Sequence, residues 1–295
     1  MEKSNKPFLV FSSFILKIIA MVTMTFDHVG WLLAESLGYN YWLSILFRII
    51  GRIALPLYCL MITEGILHTK NKGLYLLRLG IMATIISSVL IFVEFVPAFN
   101  GMSMRQEGNI FIDLILGGLA VWALTRKEWY FKILIIIPLG IGVAAYIANS
   151  LELTQNMLIH WYPFFLRPQY FFYGIGLIIL FYVAYLLKDL FLKQYSQNSG
   201  IPVESLEGTN IERISVNLFS ILMLVIATLG LFVMSLLVRV YWVASIQNAA
   251  LIAGAFILFY NGKRGYNAKW FQYGSYLYYP LHLLIIYGIG ALAVL

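Results

Sequence analysis

The amino-acid sequence predicts an all-α, polytopic integral membrane protein, a helical bundle of about nine transmembrane helices forming a single domain over residues 1–295. Composition is the first observation, since 61% of the residues are hydrophobic and only 11% are charged, whereas soluble domains carry roughly 25% charged residues. Length is the second. Apolar stretches of about 17 to 25 residues recur along the chain, as membrane-spanning helices require.

The apolar stretches predict nine spans, near residues 12–34, 42–67, 73–96, 109–125, 129–148, 169–188, 212–239, 242–260 and 270–292. The alternating pattern of a membrane β-barrel is absent. The first stretch is too long for the apolar region of a signal peptide, is followed by no small-residue cleavage site, and contains charged residues. It is therefore expected to be a mature helix.

Basic residues predict the orientation, because cytoplasmic loops are enriched in Lys and Arg. A topology with the N-terminus inside and the C-terminus outside places fifteen of them on the inside: Lys3, Lys6, Lys17, Lys70, Lys72, Arg78, Arg126, Lys127, Lys132, Lys188, Lys193, Arg213, Lys263, Arg264 and Lys269. It leaves Arg105, Arg167 and Arg239 outside. The net charge of +7 thus reflects orientation in the membrane and requires no nucleic-acid partner.

Two connecting segments stand out. Residues 189–211 are polar and include Gln-Asn-Ser-Gly-Ile-Pro, which predicts a flexible cytoplasmic linker loop. Residues 149–168 are too polar to span and too apolar for a free loop, so an external interfacial helix or a re-entrant segment is expected.

The single cysteine, Cys59, can form no internal disulfide and is interpreted as a small core residue.

Ionisable residues within the spans are candidates for function, because a charge in hydrocarbon costs at least about 2.5 kcal/mol. Lys17 precedes His28 by eleven residues, almost three helical turns, so both side chains share a face and lie roughly 16 Å apart along the axis. A histidine that titrates near neutral pH suits a general base. A histidine satisfied by helix packing is the alternative.

Arg48 and Arg52 are i, i+4 neighbours on a span that Pro56 is expected to bend, and they are expected to meet Asp27. A carboxylate that faces two guanidinium groups stays ionised and fixes how the first two helices pack. Two interpretations stay open: a packing salt bridge and a part of the reaction centre.

His282 lies about twelve residues from the cytoplasmic start of the last span, near the midplane, after Pro280. His28 and His282 are therefore expected to face one cavity, with helix packing as the alternative for His282. Glu64 and His68 form an i, i+4 pair near the inner end of the second span. They either belong to the site or only cap that helix end.

Two basic loops are predicted to face the cytoplasm. One carries Lys70 and Lys72, and the other carries Lys263 and Arg264 after an Asn-Gly turn. The backbone amides of such a turn, together with two cations, can cradle a phosphate. Charge that only sets the topology is the alternative interpretation.

Segments along nearly the whole chain resemble the TraX family. Those similar to its N-terminal signature are residues 16–21, Asp27 with His28, residues 48–56, Glu64 with Gly65, and residues 68–71. Residues 260–265 and 278–283, which include Tyr279, are similar to its C-terminal signature, and residues 105–110, with Asn109, and Gly117 resemble a less sharp central motif.

The namesake of the family is associated with N-terminal acetylation of conjugative pilin, and the family is similar to a wider superfamily of membrane acyltransferases. In that superfamily a basic residue precedes a histidine by eleven positions on the first helix, a spacing that Lys17 and His28 match. The resemblance implies an acyltransferase that takes acetyl from cytoplasmic acetyl-CoA, with no metal. The implied acceptor lies on the outer side, as a pilin amine, a surface glycan hydroxyl or a lipid-linked sugar. Pilin is not assured, since Arg167 begins a stretch where an acidic residue is expected.

The resemblance leads to a mechanistic hypothesis in which His28 deprotonates the acceptor and Asp27 orients its ring. Arg48 or Arg52 either fixes Asp27 or stabilises the oxyanion, and His282 completes the group. The residues expected to hold the CoA phosphates are Lys17, Lys70, Lys72, Lys263 and Arg264.

A function from another class is compatible with the same residues. In a proton-coupled transporter, His28, Asp27, Glu64 and His282 would relay protons and the arginines would bind an anionic solute. A non-enzymatic scaffold for surface-polymer assembly is a third interpretation, and it leaves the buried charges unexplained.

Overall fold

A computed structural model of the protein describes residues 9–35, 41–99, 108–155, 159–238 and 246–294. In these ranges the chain is helical and forms no strand, which confirms the all-α class. The α-helices are α1 (Ser13–Glu35), α2 (Tyr41–Gly51), α3 (Ala54–His68), α4 (Lys72–Phe95), α5 (Ile110–Leu124), α6 (Trp129–Ile133), α7 (Ile136–Gln155), α8 (Phe171–Ser199), α9 (Val203–Leu206), α10 (Asn210–Val238), α11 (Ala253–Leu258) and α12 (Lys269–Val294). Short 3₁₀ helices lie at Pro97–Phe99, Phe164–Leu166 and Asn248–Ile252.

Seven of the described helical segments are long and apolar enough to cross a membrane. They are Ser13–Leu33, Tyr41–His68, Lys72–Phe95, Trp129–Gln155, Phe164–Ser199, Asn210–Leu236 and Lys269–Leu292. The other two predicted spans, 109–125 and 242–260, coincide with the shorter apolar helices Ile110–Leu124 and Asn248–Leu258. Fifteen residues give a helix of about 22 Å, less than the roughly 30 Å of a hydrocarbon core.

Some predicted features lie outside the described residues. They are Lys3 and Lys6 on the predicted inside, Arg105 and Arg239 on the predicted outside, the start of the central motif at 105–107, and the part of the predicted spans that falls at 239–245.

The second predicted span is interrupted at residues 52 and 53, just before Pro56, and the bend expected from Pro56 stays a prediction. Helix α2 ends at Gly51 and α3 begins at Ala54, so Pro56 lies in the first turn of α3, where its missing N–H removes no helical hydrogen bond. A β-carbon on Gly51 would collide with Asp27 of α1. Glycine at position 51 therefore lets the second span approach the first helix closely.

Helix α3 occupies the centre of the bundle. It packs against α1, α5, α8 and α11, while α12 lies against α1 and α4. Leu57, Cys59, Leu60 and Ile66 of α3 are fully buried. The interpretation of Cys59 as a core residue agrees with this position. Helix α3 also contributes to a cavity that lies between α1, α3, α4, α5 and α12.

Most of the segment predicted as a flexible linker at 189–211 is ordered helix. Helix α8 continues to Ser199 and stops at Gly200, whose φ of 73° is left-handed. The continuation is stabilised by Lys188, which binds Glu212 of α10 at 3.1 Å, and by burial of Leu192 and Leu206. The polar composition of this stretch belongs to exposed helix faces, so the loop prediction was wrong over most of its length.

The predicted interfacial or re-entrant segment at 149–168 begins as the last turns of α7 and, after the undescribed residues 156–158, folds back into the bundle. Arg167 is fully buried, where it binds Glu152 at 2.6 Å. Its carbonyl accepts the backbone N–H of Asn109 at 2.8 Å, and the carbonyl of Phe165 accepts the hydroxyl of Ser87 at 2.6 Å. The segment therefore closes one end of α4 and α5.

Candidate functional site

His28 of α1 and His282 of α12 meet inside the bundle, as the sequence predicted. Nδ1 of His28 lies 3.0 Å from Nε2 of His282, and the two ring centroids are 5.0 Å apart. They are 254 positions apart in sequence and meet because α1 packs directly on α12. Two imidazoles on neighbouring helices thus form a hydrogen-bonded pair.

The hydrogen bonds of this pair determine where its protons reside. Nδ1 of His282 is 3.0 Å from the carbonyl oxygen of Tyr278, and a carbonyl only accepts, so this nitrogen is the donor. Nε2 of a neutral His282 then accepts, and Nδ1 of His28 donates to it. In this tautomer Nε2 of His28 carries the lone pair, which is what a general base requires.

Tyrosine rings of α12 hold the histidine pair in place. The ring of Tyr278 stacks on that of His282 at 5.1 Å with an angle of 11° between the planes. Tyr279 meets both imidazoles edge-on, with centroids 5.2 Å from His282 and 6.1 Å from His28. The candidate Tyr279 therefore forms part of the wall around the pair.

Asp27 and His28 are adjacent on α1 and point in different directions, because successive helical residues are about 100° apart. The carboxylate of Asp27 binds Nη2 of Arg52 through both oxygens, and both side chains are largely buried. The ring-orienting hydrogen bond that the sequence analysis assigned to Asp27 is made by His282. The predicted meeting of Asp27 with an arginine of the second span is present.

Gln247 is a member of this cluster that sequence reasoning missed. It is buried just before the 3₁₀ helix Asn248–Ile252, and its Oε1 lies 3.3 Å from Nη1 of Arg52. The guanidinium of Arg52 also lies 6.0 Å from the ring of Tyr170. A single glutamine within an apolar stretch carried no spacing signal that could have linked it to an arginine 195 residues earlier.

Arg48 and Arg52 have different surroundings although they are i, i+4 neighbours. Arg52 is engaged by Asp27 and Gln247, and its Nε donates to the carbonyl of Arg48 at 3.3 Å. Within the described residues, Nε of Arg48 is buried with no hydrogen-bond partner. Arg52 therefore joins the second span to α1, whereas the Nε of Arg48 keeps unused donor capacity.

A cavity of about 190 Å³ approaches the histidine pair. Ser13 and Lys17 line it near the start of α1, and Met24, Tyr278 and Tyr279 line it at the level of the pair. Lys17 is half-buried, with its Nζ 5.9 Å from the ring centroid of Phe271. Lys17, Met21 and Met24 of the predicted shared face line the cavity, and His28 lies one turn further along α1, outside its lining.

The loop that carries Lys263 and Arg264 is bound to the start of α1. The carbonyls of these two residues accept the backbone N–H groups of Ser13 and Phe14 at 2.8 and 3.0 Å. The N–H of Lys263 is already used by the side chain of Asn261 at 2.9 Å. The loop therefore offers exposed Lys263 and Arg264 side chains, and the amide of Lys263 does not form the predicted cradle.

The other basic loop joins α3 to α4. Asn71 caps α4 by accepting the N–H of Leu74 at 2.9 Å, which leaves Lys70 exposed and Lys72 half-exposed beside the helix start. Both lysines are thus accessible to an anion.

Glu64 and His68 do not pair through their side chains as predicted. Glu64 instead binds Arg213 of α10 at 2.7 Å and accepts the hydroxyls of Tyr185 and Tyr260 at 2.5 Å each. His68 is exposed, and its Nδ1 lies 2.9 Å from the carbonyl of Glu64. Glu64 therefore ties three distant parts of the chain together and does not cap its helix, because α3 runs through the middle of the bundle.

Asn109 is fully buried and holds the backbone together. Its Nδ2 donates to the carbonyl of Ala83 at 2.7 Å and to Ser87 at 3.0 Å, and its Oδ1 accepts the N–H of Phe111 at 3.0 Å. The nearby Asp113, which the sequence analysis did not single out, accepts backbone N–H groups at the start of α8. Both positions are structural in this arrangement.

Among the described residues, no group of three or more His, Cys, Asp or Glu side chains could hold a metal ion.

Comparison with known proteins gives one family: its model, described as "TraX protein", matches residues 12–189. A protein of Dichelobacter nodosus described as "Probable fimbrial assembly protein FimC, serogroup H1" is 31% identical over 159 residues, or 52% of this chain and 64% of that protein. The chain thus matches a little under two thirds of the length of that relative. No solved structure matches the chain.

Proposed function

Since this chain belongs to the TraX family, we propose that it is an integral-membrane acyltransferase of the bacterial inner membrane. In this proposal an acetyl group passes from cytoplasmic acetyl-CoA to an acceptor on the outer side. The observation that carries the proposal is the cavity of about 190 Å³ between Lys17 and the level of the His28–His282 pair. A basic opening, an apolar passage and a general base then follow one another along a single route.

The proposed topology has nine spans, with the N-terminus inside and the C-terminus outside. The two shorter apolar helices, Ile110–Leu124 and Asn248–Leu258, serve as the fourth and eighth spans. Exposed tryptophans near the ends of spans support this arrangement, since such rings favour the membrane interface: Trp42, Trp129, Trp161 and Trp270.

The donor is proposed to bind at the inner face. The phosphates of acetyl-CoA contact Lys70, Lys72, Lys263 and Arg264, whose side chains reach solvent, and Lys17 receives the start of the thioester arm. The arm continues along the apolar wall of the cavity toward Tyr279. Exclusion of water along this wall matters, because hydrolysis of the thioester competes with transfer.

The chemical step uses the lone pair on Nε2 of His28. The acceptor oxygen or nitrogen attacks the thioester carbon as its proton moves to His28, and the carbon–sulfur bond breaks to release the CoA thiolate, which takes up a proton. The hydrogen bond from His28 to His282 orients the ring and stabilises the imidazolium that forms. Arg48 supplies donors for the oxyanion, because Arg52 is already engaged by Asp27 and Gln247.

The acceptor is proposed to be an amine or a hydroxyl on the outer side, in a pilin or a surface glycan. The description of the relative as a probable fimbrial assembly protein favours a link to surface structures. A test requires the labelled donor and a mixture that contains candidate acceptors. Purified protein is incubated with labelled acetyl-CoA and a mixture of outer-membrane and pilus extracts, and labelled product is counted.

His28→Ala is expected to abolish transfer, whereas His68→Ala, at an exposed histidine, is expected to retain it. Both variants should keep a melting temperature that rises with CoA, because a ligand of the native state stabilises it by mass action. Transfer at the wild-type rate in His28→Ala would remove this residue from the mechanism. Flux of a small anion in proteoliposomes without CoA would favour a transporter instead.

A further inference from the structure

A buried ionic cluster joins the 260–265 loop, which carries the cations of the proposed donor site, to the rest of the bundle. At its centre, Glu64 of α3 binds Nη1 of Arg213 at 2.7 Å. The same carboxylate accepts the hydroxyls of Tyr185 and Tyr260 at 2.5 Å each. The side chains of Glu64 and Arg213 are only 12% and 14% exposed, so these hydrogen bonds act in a medium of low dielectric. The proposed transfer reaction does not use this carboxylate.

Tyr260 is the point at which the cluster meets the loop. It is 1% exposed, and its ring centroid lies 4.2 Å from the guanidinium carbon of Arg213. Asn217, one turn further along α10, accepts Nε of Arg213 at 3.0 Å. The amide of Asn217 donates to the carbonyl of Tyr260 at 2.8 Å. The side chain and the backbone of Tyr260 are therefore both fixed from the interior of the bundle.

The same loop is bound to the start of α1. The N–H of Asn261 donates to the carbonyl of Phe11 at 2.8 Å, and the carbonyl of Lys263 accepts the N–H of Ser13 at 2.8 Å. Ser13 lines the cavity that also contains Lys17. Contacts from Glu64 through the loop to the cavity mouth are therefore continuous.

Gly262 makes the contact between the loop and the cluster close. Its φ of 70° is left-handed, and a β-carbon at this position would lie 3.0 Å from Nη1 of Arg213. Within the described residues, Nη2 of Arg213 is buried with no hydrogen-bond partner. A buried donor without a partner lowers stability, so this cluster is not the arrangement that maximises stability.

We propose that Glu64, acting through Tyr260, is a positioning residue that holds the 260–265 loop where its two cations reach the phosphates of acetyl-CoA. The inference rests on the proposed function and adds a residue that contacts neither the donor nor the acceptor. Exposed Lys and Arg side chains bind an anion better when the backbone that carries them is already fixed, because ordering a mobile loop costs conformational entropy.

Two tyrosines offer a matched pair of substitutions. Tyr260→Phe and Tyr185→Phe each remove one hydroxyl that donates to Glu64 at 2.5 Å, but only Tyr260 belongs to the loop. Tyr260→Phe should raise KM for acetyl-CoA about threefold to tenfold, the range for loss of one or two exposed ion pairs. Its kcat should stay within about twofold, and Tyr185→Phe should leave both constants within about twofold.

S-acetylpantetheine separates positioning of the loop from a general loss of stability. This donor has the acetyl thioester and the arm but no phosphate, so its KM should agree within about twofold between the wild-type protein and Tyr260→Phe. Gly262→Ala is a second variant, since it displaces the loop from Arg213 and keeps Glu64 and both cations. It should raise KM for acetyl-CoA and leave KM for S-acetylpantetheine unchanged.

Equal rises in KM for acetyl-CoA in the two tyrosine variants would overturn the positioning role. An unchanged KM in both Tyr260→Phe and Gly262→Ala would also overturn it, and so would an equal rise for S-acetylpantetheine.

Calorimetric binding of CoA to the purified full-length protein distinguishes this failure from failure of the proposed function. Wild-type protein that binds CoA, with Kd about threefold to tenfold higher in Tyr260→Phe, but transfers acetyl to no acceptor would refute the acyltransferase and support the role of the loop. Acetyl transfer with the same KM in the wild-type protein and all variants would refute the positioning role alone.

Discussion

The hydrogen bond between His28 and His282 yields a quantitative prediction. In the proposed reaction His28 takes a proton and becomes positively charged, while Nε2 of His282 accepts its Nδ1–H over 3.0 Å. His282→Leu removes that acceptor and keeps an apolar side chain in the buried space. The variant should therefore lower the rate of the chemical step without altering the binding of acetyl-CoA at the inner face.

The magnitude follows from the charge on the donor. A hydrogen bond to a charged group contributes about 1.5–3 kcal/mol, against about 0.5–1.5 kcal/mol between neutral groups. Only the difference between these two energies, about 1–1.5 kcal/mol, acts on the chemical step, because the bond is already present with neutral His28. Since 1.36 kcal/mol corresponds to a tenfold change in rate, its loss lowers kcat by about 5- to 13-fold. KM for acetyl-CoA should stay within about twofold, because binding of the donor does not involve the histidine pair.

Steady-state transfer of labelled acetyl by purified variants measures both constants. His282→Gln serves as the matched control, since its amide oxygen can accept the same proton and should recover most of kcat. Melting temperatures monitor folding in each variant. An unchanged kcat in His282→Leu would refute the orienting role of His282, and so would an equal loss of kcat in the leucine and glutamine variants.

Two further substitutions test other parts of the site. Asp27→Ala leaves Arg52 buried without its carboxylate and should lower the free energy of unfolding in detergent by about 3–5 kcal/mol. The double variant Asp27→Leu with Arg52→Met should lower the free energy of unfolding by less. An equal loss in the two variants would contradict an ion pair that holds the helices together. Replacing both Lys263 and Arg264 by Glu should raise KM for acetyl-CoA about tenfold at constant kcat, by removing two exposed cations from the donor site. Lys193→Glu, an exposed cation on α8, is the control, and an unchanged KM in the double variant would leave the 263–264 loop with a role in topology alone.

Helical periodicity accounts for what the sequence could predict. The lengths of apolar stretches predicted where helices lie. The eleven-residue spacing placed Lys17 and His28 on one face, which lines a cavity from Lys17 to Met24. The position of His282 along its span was enough to expect a second histidine at the same depth as His28. These features depend on local geometry that any straight helix shares.

Contacts between distant helices were beyond the same reasoning. Nothing in the sequence indicates that Glu64 would bind Arg213, 149 residues away, and not His68 one turn away. Likewise, adjacency of Asp27 to His28 suggested a pair, but the helix directs the two side chains to different neighbours. Which side chain meets which partner depends on the rotation and crossing of helices, and these are set by packing across the whole bundle.

Polarity was also a poor guide to backbone order. Residues 189–199 are rich in polar side chains, yet they continue α8, because one face of that extension packs on α10 while the other reaches solvent. The sequence near Arg167 is typical of an external segment, yet the arginine side chain is buried because Glu152 neutralises its charge. In both cases a tertiary partner decides the outcome.

The central claim is that the cavity beside Lys17 delivers an acyl donor to His28. A cryo-electron microscopy map of the protein with a non-hydrolysable acetyl-CoA analogue tests it most directly. The account predicts density for the phosphates at Lys70, Lys72, Lys263 and Arg264, and for the pantetheine arm between α1, α3 and α12, with the acyl end beside His28. Density for the analogue elsewhere, or an imidazole of His28 sealed off from the arm, would contradict it.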